Sequence, residues 1–302
     1  MATEDPVKAY NLRNSLLIGA WTTFAAAGIL ASSCGDQPKI GCLVAPAGGF
    51  ATKLTEISRE ESSEGACDGF GPDSFNADPE LGVNTYFERN SKGQVDYFKS
   101  SVAIQSIEVG TLAMTAEGFG VENSAEDGQL FSIGKFTVSR PNDENLCPAP
   151  KLSTTRLVLE EVPAVEDDPE TEEDDSFPGQ PAVDITLEWS NFLVYTAADS
   201  VGNQIEADLA DTRRTPDGET CTIRYHAVGL NPAVSCQATD DMGTPLFDDD
   251  GNPETDPTLC ESDANPSKNR FVGSGITPNT KWVCDPVIAY CVVNGEHIPQ
   301  FK

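Results

Sequence analysis

From Val183 to Trp189 every second side chain is apolar, with Asp184, Thr186 and Glu188 in between. A period of two gives an extended strand one face for a core and one for water. The same texture recurs in short runs at 85–89, 94–98, 101–109, 112–117, 130–138, 156–162, 183–194, 204–209 and 222–228. Turn-forming residues separate the runs, and Asn90-Ser91-Lys92-Gly93 between the first two predicts a hairpin. Helical periodicity is confined to a short hint at Leu54 and Ile57. Many short strands at roughly ten-residue spacing predict a mainly β chain, with an antiparallel β-sandwich-like domain over residues 81–236.

The nine cysteines add a second constraint: Cys34, Cys42, Cys67, Cys147, Cys221, Cys236, Cys260, Cys284 and Cys291. Without the first, an even set of eight remains, suited to four disulfides in an oxidising compartment. Eight cysteines allow roughly a hundred connectivities, so the sequence does not dictate the pairing. Short spacing favours Cys221 with Cys236 and Cys284 with Cys291. A zinc site of cysteines is disfavoured, because the chain has no CxxC pair and two histidines. Residues 237–302 read as a disulfide-rich, turn-rich C-terminal subdomain, its small core drawn from Phe271, Val272, Trp282, Val283, Val287, Ile288, Tyr290, Val292 and Val293.

Residues 16–31 (LLIGAWTTFAAAGILA) carry no charge and lead through Ser32 and Ser33 to Cys34 and Gly35. At about 1.5 Å per helical residue this stretch is shorter than the roughly 30 Å hydrocarbon core, so it reads as the apolar region of an export signal. Small residues running into a cysteine resemble the lipobox of bacterial lipoproteins. Leu30 stands one place before the slot where leucine is usual, and Ala31 fills that slot. The resemblance implies removal of residues 1–33 as a signal peptide and lipidation of Cys34. It also implies anchoring to a membrane through acyl chains, at the outer membrane, in the periplasm or on the cell surface. Two or more chains anchor stably where one does not. An uncleaved N-terminal anchor and simple secretion are the alternatives, and all three place the folded part outside the cytoplasm. Residues 34–80, rich in Gly, Ser, Pro, Asp and Glu, read as the lipidated cysteine and a flexible tether.

Nineteen Lys+Arg face 49 Asp+Glu, a formal charge of −30. Such a surface repels nucleic acid and anionic lipid, so neither is an expected partner. Between Glu160 and Asp175 lie ten acidic residues and no basic one, and the prolines up to Pro178 add to their mutual repulsion. This predicts a disordered acidic loop over 160–180, a solvated insertion or else a docking surface for cations. Adaptation to a salty habitat is another source of such charge.

Asp240-Asp241-Met242-Gly243-Thr244-Pro245 is echoed eight residues on by Asp248-Asp249-Asp250-Gly251-Asn252-Pro253, two similar turns. Asp248, Asp250, Asn252, Glu254 and Asp256 place oxygens at alternating positions around a glycine, an arrangement that suits calcium. These five loosely resemble the calcium loops of EF-hand and thrombospondin-type repeats, without the EF-hand's distal glutamate and flanking helices. A plain turn is the competing reading. No catalytic set emerges: a serine or cysteine nucleophile needs a base, and His226 and His297 both read as surface histidines. Gly273-Ser274-Gly275 lacks the Gly-x-Ser-x-Gly spacing of a nucleophile elbow. The strand aromatics Trp189, Phe192, Tyr195, Tyr86, Phe87, Tyr97 and Phe98 read as core, with a sugar-binding face as the alternative.

The expected product is thus an exported, lipid-anchored envelope protein acting as a non-enzymatic structural or binding module with an envelope protein partner. It needs no cofactor, apart from calcium if the acidic turns bind it. An extracytoplasmic hydrolase acting on glycans through a carboxylate pair is the alternative. A cleft with convergent carboxylates would mark the enzyme, and an exposed apolar or aromatic patch the interaction protein.

Overall fold

The structure, a computed structural model, describes residues 40–45, 49–68, 70, 80–126, 128–165, 176–240, 242–268 and 271–301. The expected signal segment, Cys34 and residues 166–175 of the acidic loop lie outside the described residues. Among the described residues no helix is long and apolar enough to cross a membrane.

Among the described residues the strands are β1 (Phe50–Glu61), β2 (Glu80–Arg89), β3 (Val95–Ser106), β4 (Ser132–Lys135), β5 (Leu146–Lys151), β6 (Thr155–Leu159), β7 (Val183–Ala197), β8 (Ser200–Arg214), β9 (Thr220–Leu230), β10 (Trp282–Asp285) and β11 (Tyr290–Val293), with an α-helix, α1 (Ile107–Gly118), between β3 and β4. Among the described residues, nine of these strands form one antiparallel sheet in the order β4-β3-β2-β1-β9-β8-β7-β5, and β6 pairs with the other half of β7. The sheet rolls until its ends meet: the Thr137 N–H donates to the Pro148 carbonyl at 2.9 Å and the Ser153 N–H to the Ile133 carbonyl at 2.8 Å. Gly134 permits that approach, since a Cβ there would lie 2.5 Å from the Lys151 carbonyl oxygen. The expected mainly β, antiparallel architecture is present as a sheet curled nearly into a barrel.

Alternation decides what fills it. Ile185, Leu187 and Trp189 of β7, Ile205, Ala207 and Leu209 of β8, and Ile223, Tyr225 and Ala227 of β9 point inward and are buried together with Phe50, Leu157 and Phe192. Each large apolar side chain removed from water contributes about 1.5–3 kcal/mol. A bulge between Ser190 and Leu193 lets β7 change phase. Phe192 and Val194 then continue the inner face, while Leu193 and Tyr195 join a second cluster on the outside.

Several elements differ from the sequence expectation, and β5, β10 and β11 lie outside the expected strand runs. Residues 50–61, assigned to a tether, are β1, which pairs with β9 along its length. The spacing of Leu54 and Ile57 mimicked a helix because a bulge between Glu56 and Ser58 puts Ile57 out of phase and into solvent. Residues 112–117, expected as a strand, belong to α1. Val109, Leu112, Ala113 and Ala116 form its packed stripe at i, i+3, i+4 and i+7, which the alternation of Leu112, Met114 and Ala116 concealed.

The C-terminal segment covers the outer face at one end of the sheet. Tyr195, Val228 and Leu230 pack there against Ile276, Val293 and Ile298 and the cysteines of the β10–β11 hairpin. Val292, Val293 and Ile288 are buried as expected, whereas Phe271, Val272, Val283 and Val287 are exposed.

All eight described cysteines form disulfides, paired Cys42–Cys147, Cys67–Cys221, Cys236–Cys284 and Cys260–Cys291. The expected local pairs do not form. Cys221 is the second residue of β9, and the nine extended residues that follow it, at about 3.3 Å each, carry the chain away before Cys236. Cys284 and Cys291 sit opposite each other in the β10–β11 register, yet each bonds to a different partner. Around the acidic loop, two isolated bridges, Val162 with Gln180 and Val165 with Phe177, hold the base together.

Candidate functional site

Strands β8 and β9 pair so that Asp208 lies opposite His226. Both belong to the phase that points away from the core, as does Glu206 two residues earlier on β8. His226 shares this outward phase with Thr222 and Arg224. The expectation that it faces open solvent does not hold, because the C-terminal segment folds across it.

That segment carries His297 onto Glu206. His297 Nδ1 lies 2.9 Å from Glu206 Oε1, and His226 Nε2 lies 3.5 Å from the same oxygen. The two imidazole rings meet edge to face with centroids 5.3 Å apart. The other carboxylate oxygen of Glu206 accepts from the Ile298 N–H at 2.9 Å. On the far side of His226, Nδ1 lies 3.2 Å from Asp208 Oδ1, and Asp208 Oδ2 accepts from Asn191 Nδ2 at 2.7 Å. His226 Nε2 also lies 2.6 Å from the Glu296 carbonyl oxygen. Two carboxylates and a carbonyl thus converge on two imidazoles. The hydrogen bond to Glu206 accordingly holds the His297 imidazole above the usual histidine range. The side chains of Glu206 and His226 are largely buried, while that of His297 is 74% exposed.

Beside this cluster the outer face of the sheet carries a groove of about 450 Å³, whose polar lining includes Asp208, Glu188, Ser190, Arg224 and Lys151. Asp208 is common to both features.

The other expected sites fall elsewhere. Asp248 Oδ1 accepts from the Asp250 and Asn252 N–H groups at 2.9 and 2.8 Å, as Asp240 Oδ1 does from Met242 and Thr244. The Asn252 side-chain amide, together with the N–H groups, holds the Asp248 carboxyl below the ordinary carboxylate range, and the Thr244 N–H does so for Asp240. Asp256 caps the short 3-10 turn Pro257–Cys260 by accepting from the Thr258 N–H. The repeat is therefore two copies of one turn, with Gly243 and Gly251 at positive φ. Among the described residues, the groups of three or more Cys, His, Asp or Glu whose ligand atoms lie within 4.8 Å are Glu206–His226–His297 and Cys236–Cys260–Cys291. The carboxylates of Asp248, Asp250, Glu254 and Asp256 form no such group. The three cysteines are disulfide-bonded and offer no thiolate.

Trp189, Phe192 and Tyr195 are buried, whereas Tyr86, Tyr97 and Phe98 of the β2–β3 hairpin are exposed. Phe87 and Tyr97 pack edge to face at 5.2 Å, and the Arg140 guanidinium lies 4.9 Å over the Phe98 ring. A further carboxylate pair, Glu108 and Asp211, faces inward and is bound by Arg213. The guanidinium forks onto Glu108 with two contacts of 2.8 Å and reaches Asp211 at 3.0 Å.

The Glu206–His226–His297 cluster had no local signal, since its histidines are 71 positions apart and each sits in an unremarkable run. Only the small number of histidines pointed to them.

No curated protein and no solved structure matches the chain. A family model does match, that of MlpA, over residues 49–232. The matched span begins one residue before β1 and ends two residues after β9, so it takes in the whole curled sheet and Glu206, Asp208 and His226, and leaves out His297. With well over half its length matched, the chain belongs to the MlpA family.

Proposed function

We propose that this MlpA-family chain is an exported lipoprotein of the bacterial cell envelope. In this reading residues 1–33 are removed, Cys34 carries the acyl chains, and the ectodomain is a non-enzymatic structural or binding module that engages an envelope protein. The observation that carries it is the pairing of all eight cysteines from Cys42 onward, which makes Cys34 the odd one of nine. Four disulfides belong to an oxidising compartment outside the cytoplasm, and a thiol set aside just after an apolar leader is the one lipidation would take. Membership of the MlpA family is compatible with this.

Binding is favoured over catalysis by what the side chains are engaged in. Glu108 and Asp211 hold Arg213 inside the sheet, and the exposed aromatic surface of the β2–β3 hairpin offers an area that association would cover. Intact-mass analysis of detergent-extracted protein tests the reading. The expected mass is that of residues 34–302 plus acyl groups, less eight hydrogens for four disulfides. A mass that begins near Met1 and carries no lipid contradicts it.

A further inference from the structure

We propose that Glu206, His226 and His297 form a binding site for one divalent transition-metal ion, and that zinc is the ion it takes. Metal–nitrogen and metal–oxygen bonds of about 2.0–2.1 Å in a tetrahedral shell put neighbouring ligand atoms about 3.3 Å apart. Glu206 Oε1 lies 2.9 Å from His297 Nδ1 and 3.5 Å from His226 Nε2, values on either side of that edge length. All three ligand atoms lie within 4.8 Å of one another, so an ion enters by small side-chain movements.

The surroundings are those of a ligand set. A metal-bound histidine commonly gives its other ring nitrogen to a carboxylate, which fixes the tautomer and the ring plane. Asp208 stands at that position, 3.2 Å from His226 Nδ1, and leaves Nε2 directed at the site. Asp208 is itself held by Asn191, and Glu206 by the Ile298 N–H, so two of the three ligands are oriented from behind. The Glu296 carbonyl, 2.6 Å from His226 Nε2, is a hydrogen-bond acceptor that the ion displaces from that nitrogen, and a water supplies the fourth oxygen.

The donor set also selects the ion. Two imidazoles and one carboxylate suit zinc and its first-row neighbours, whereas calcium takes six to eight oxygens and no nitrogen. Zinc is redox-inert, which suits a disulfide-bonded protein in an oxidising compartment. Bound there, the ion fastens the last residues of the chain to β8 and β9. The site rests on these side chains alone, so its failure leaves the lipoprotein reading intact, and loss of the Cys34 anchor leaves the site intact.

The test is isothermal titration of zinc into the full chain, expressed without a histidine tag and stripped with chelator. One zinc per chain should bind saturably at micromolar or lower concentration. His297→Ala, at an exposed side chain whose loss spares the core, should weaken binding at least tenfold. Asp208→Asn should weaken it about 10–100-fold through His226 with the far-ultraviolet circular dichroism unchanged. X-ray absorption at the zinc edge of the loaded wild type should report two nitrogen donors with oxygen, a result independent of how any variant folds. Absence of saturable uptake at tens of micromolar zinc, uptake indifferent to His297→Ala, or a sulfur-dominated spectrum would overturn the proposal.

Discussion

At position 213 one guanidinium balances two carboxylates, and the balance is uneven. Its contacts with Glu108 and Asp211 tie α1 to β8, and Asp211 is almost completely buried. Burial pushes the Asp211 carboxyl above the ordinary aspartate range even with Arg213 beside it, while both carboxylates hold Arg213 firmly charged. Arg213→Met leaves a buried carboxylate without its counter-charge, and breaking such a pair from one side costs about 3–5 kcal/mol. The pH dependence follows from the raised pKa. An acid whose folded-state pKa exceeds its unfolded value stabilises the fold below the unfolded pKa and loses that contribution as pH rises through the folded one. The variant's deficit in urea unfolding should therefore be largest where Asp211 is ionised, at neutral pH, and shrink as falling pH protonates its raised carboxyl. A deficit that is absent, or that grows in acid, contradicts this account.

Among the elements, the segment 40–45 shows how a short extended piece is fixed on the sheet. The Ala45 N–H donates to the Gly202 carbonyl at 2.8 Å, and Cys42 bonds to Cys147 of β5. Gly202 has φ +69°, and a Cβ there would lie 2.5 Å from the Leu43 carbonyl oxygen. Gly202→Ala should cost about 1–3 kcal/mol in backbone strain and contact, read as a lower urea midpoint. An unchanged midpoint would show that the segment does not press on β8.

Legibility in the sequence divides along the same line. Strands β7, β8 and β9 were readable because both of their faces have different neighbours, so alternation survives in the residues. Strand β1 was not, because its bulge moves Ile57 out of phase, and α1 was not, because its four packed positions share small and apolar residues with a false alternation. The His226–His297 encounter depends on how residues 231–297 return across β8 and β9, which no local pattern encodes.

For the whole molecule, the large negative charge and the disulfide scheme act against each other. Self-repulsion among 49 acidic residues favours expansion, and the bridges resist it. The Cys67–Cys221 and Cys42–Cys147 bridges join residues 154 and 105 positions apart and bind the N-terminal segment to the sheet. The other two lie side by side in the C-terminal segment, with the sulfurs of Cys236, Cys260 and Cys291 within 4.8 Å of one another. The sequence announced that bridges form but not which ones, because spacing along the chain ignores the strand that holds Cys221 away from Cys236. Peptide mapping of native protein under non-reducing conditions, after alkylation of any free thiol, reads the pairing and the state of Cys34 together. Four linked pairs are expected, 42–147, 67–221, 236–284 and 260–291, with the Cys34 sulfur closed to alkylation by its thioether to the lipid. Alkylated cysteines throughout the chain would contradict this, for they would place the protein in a reducing compartment and remove the ground for export.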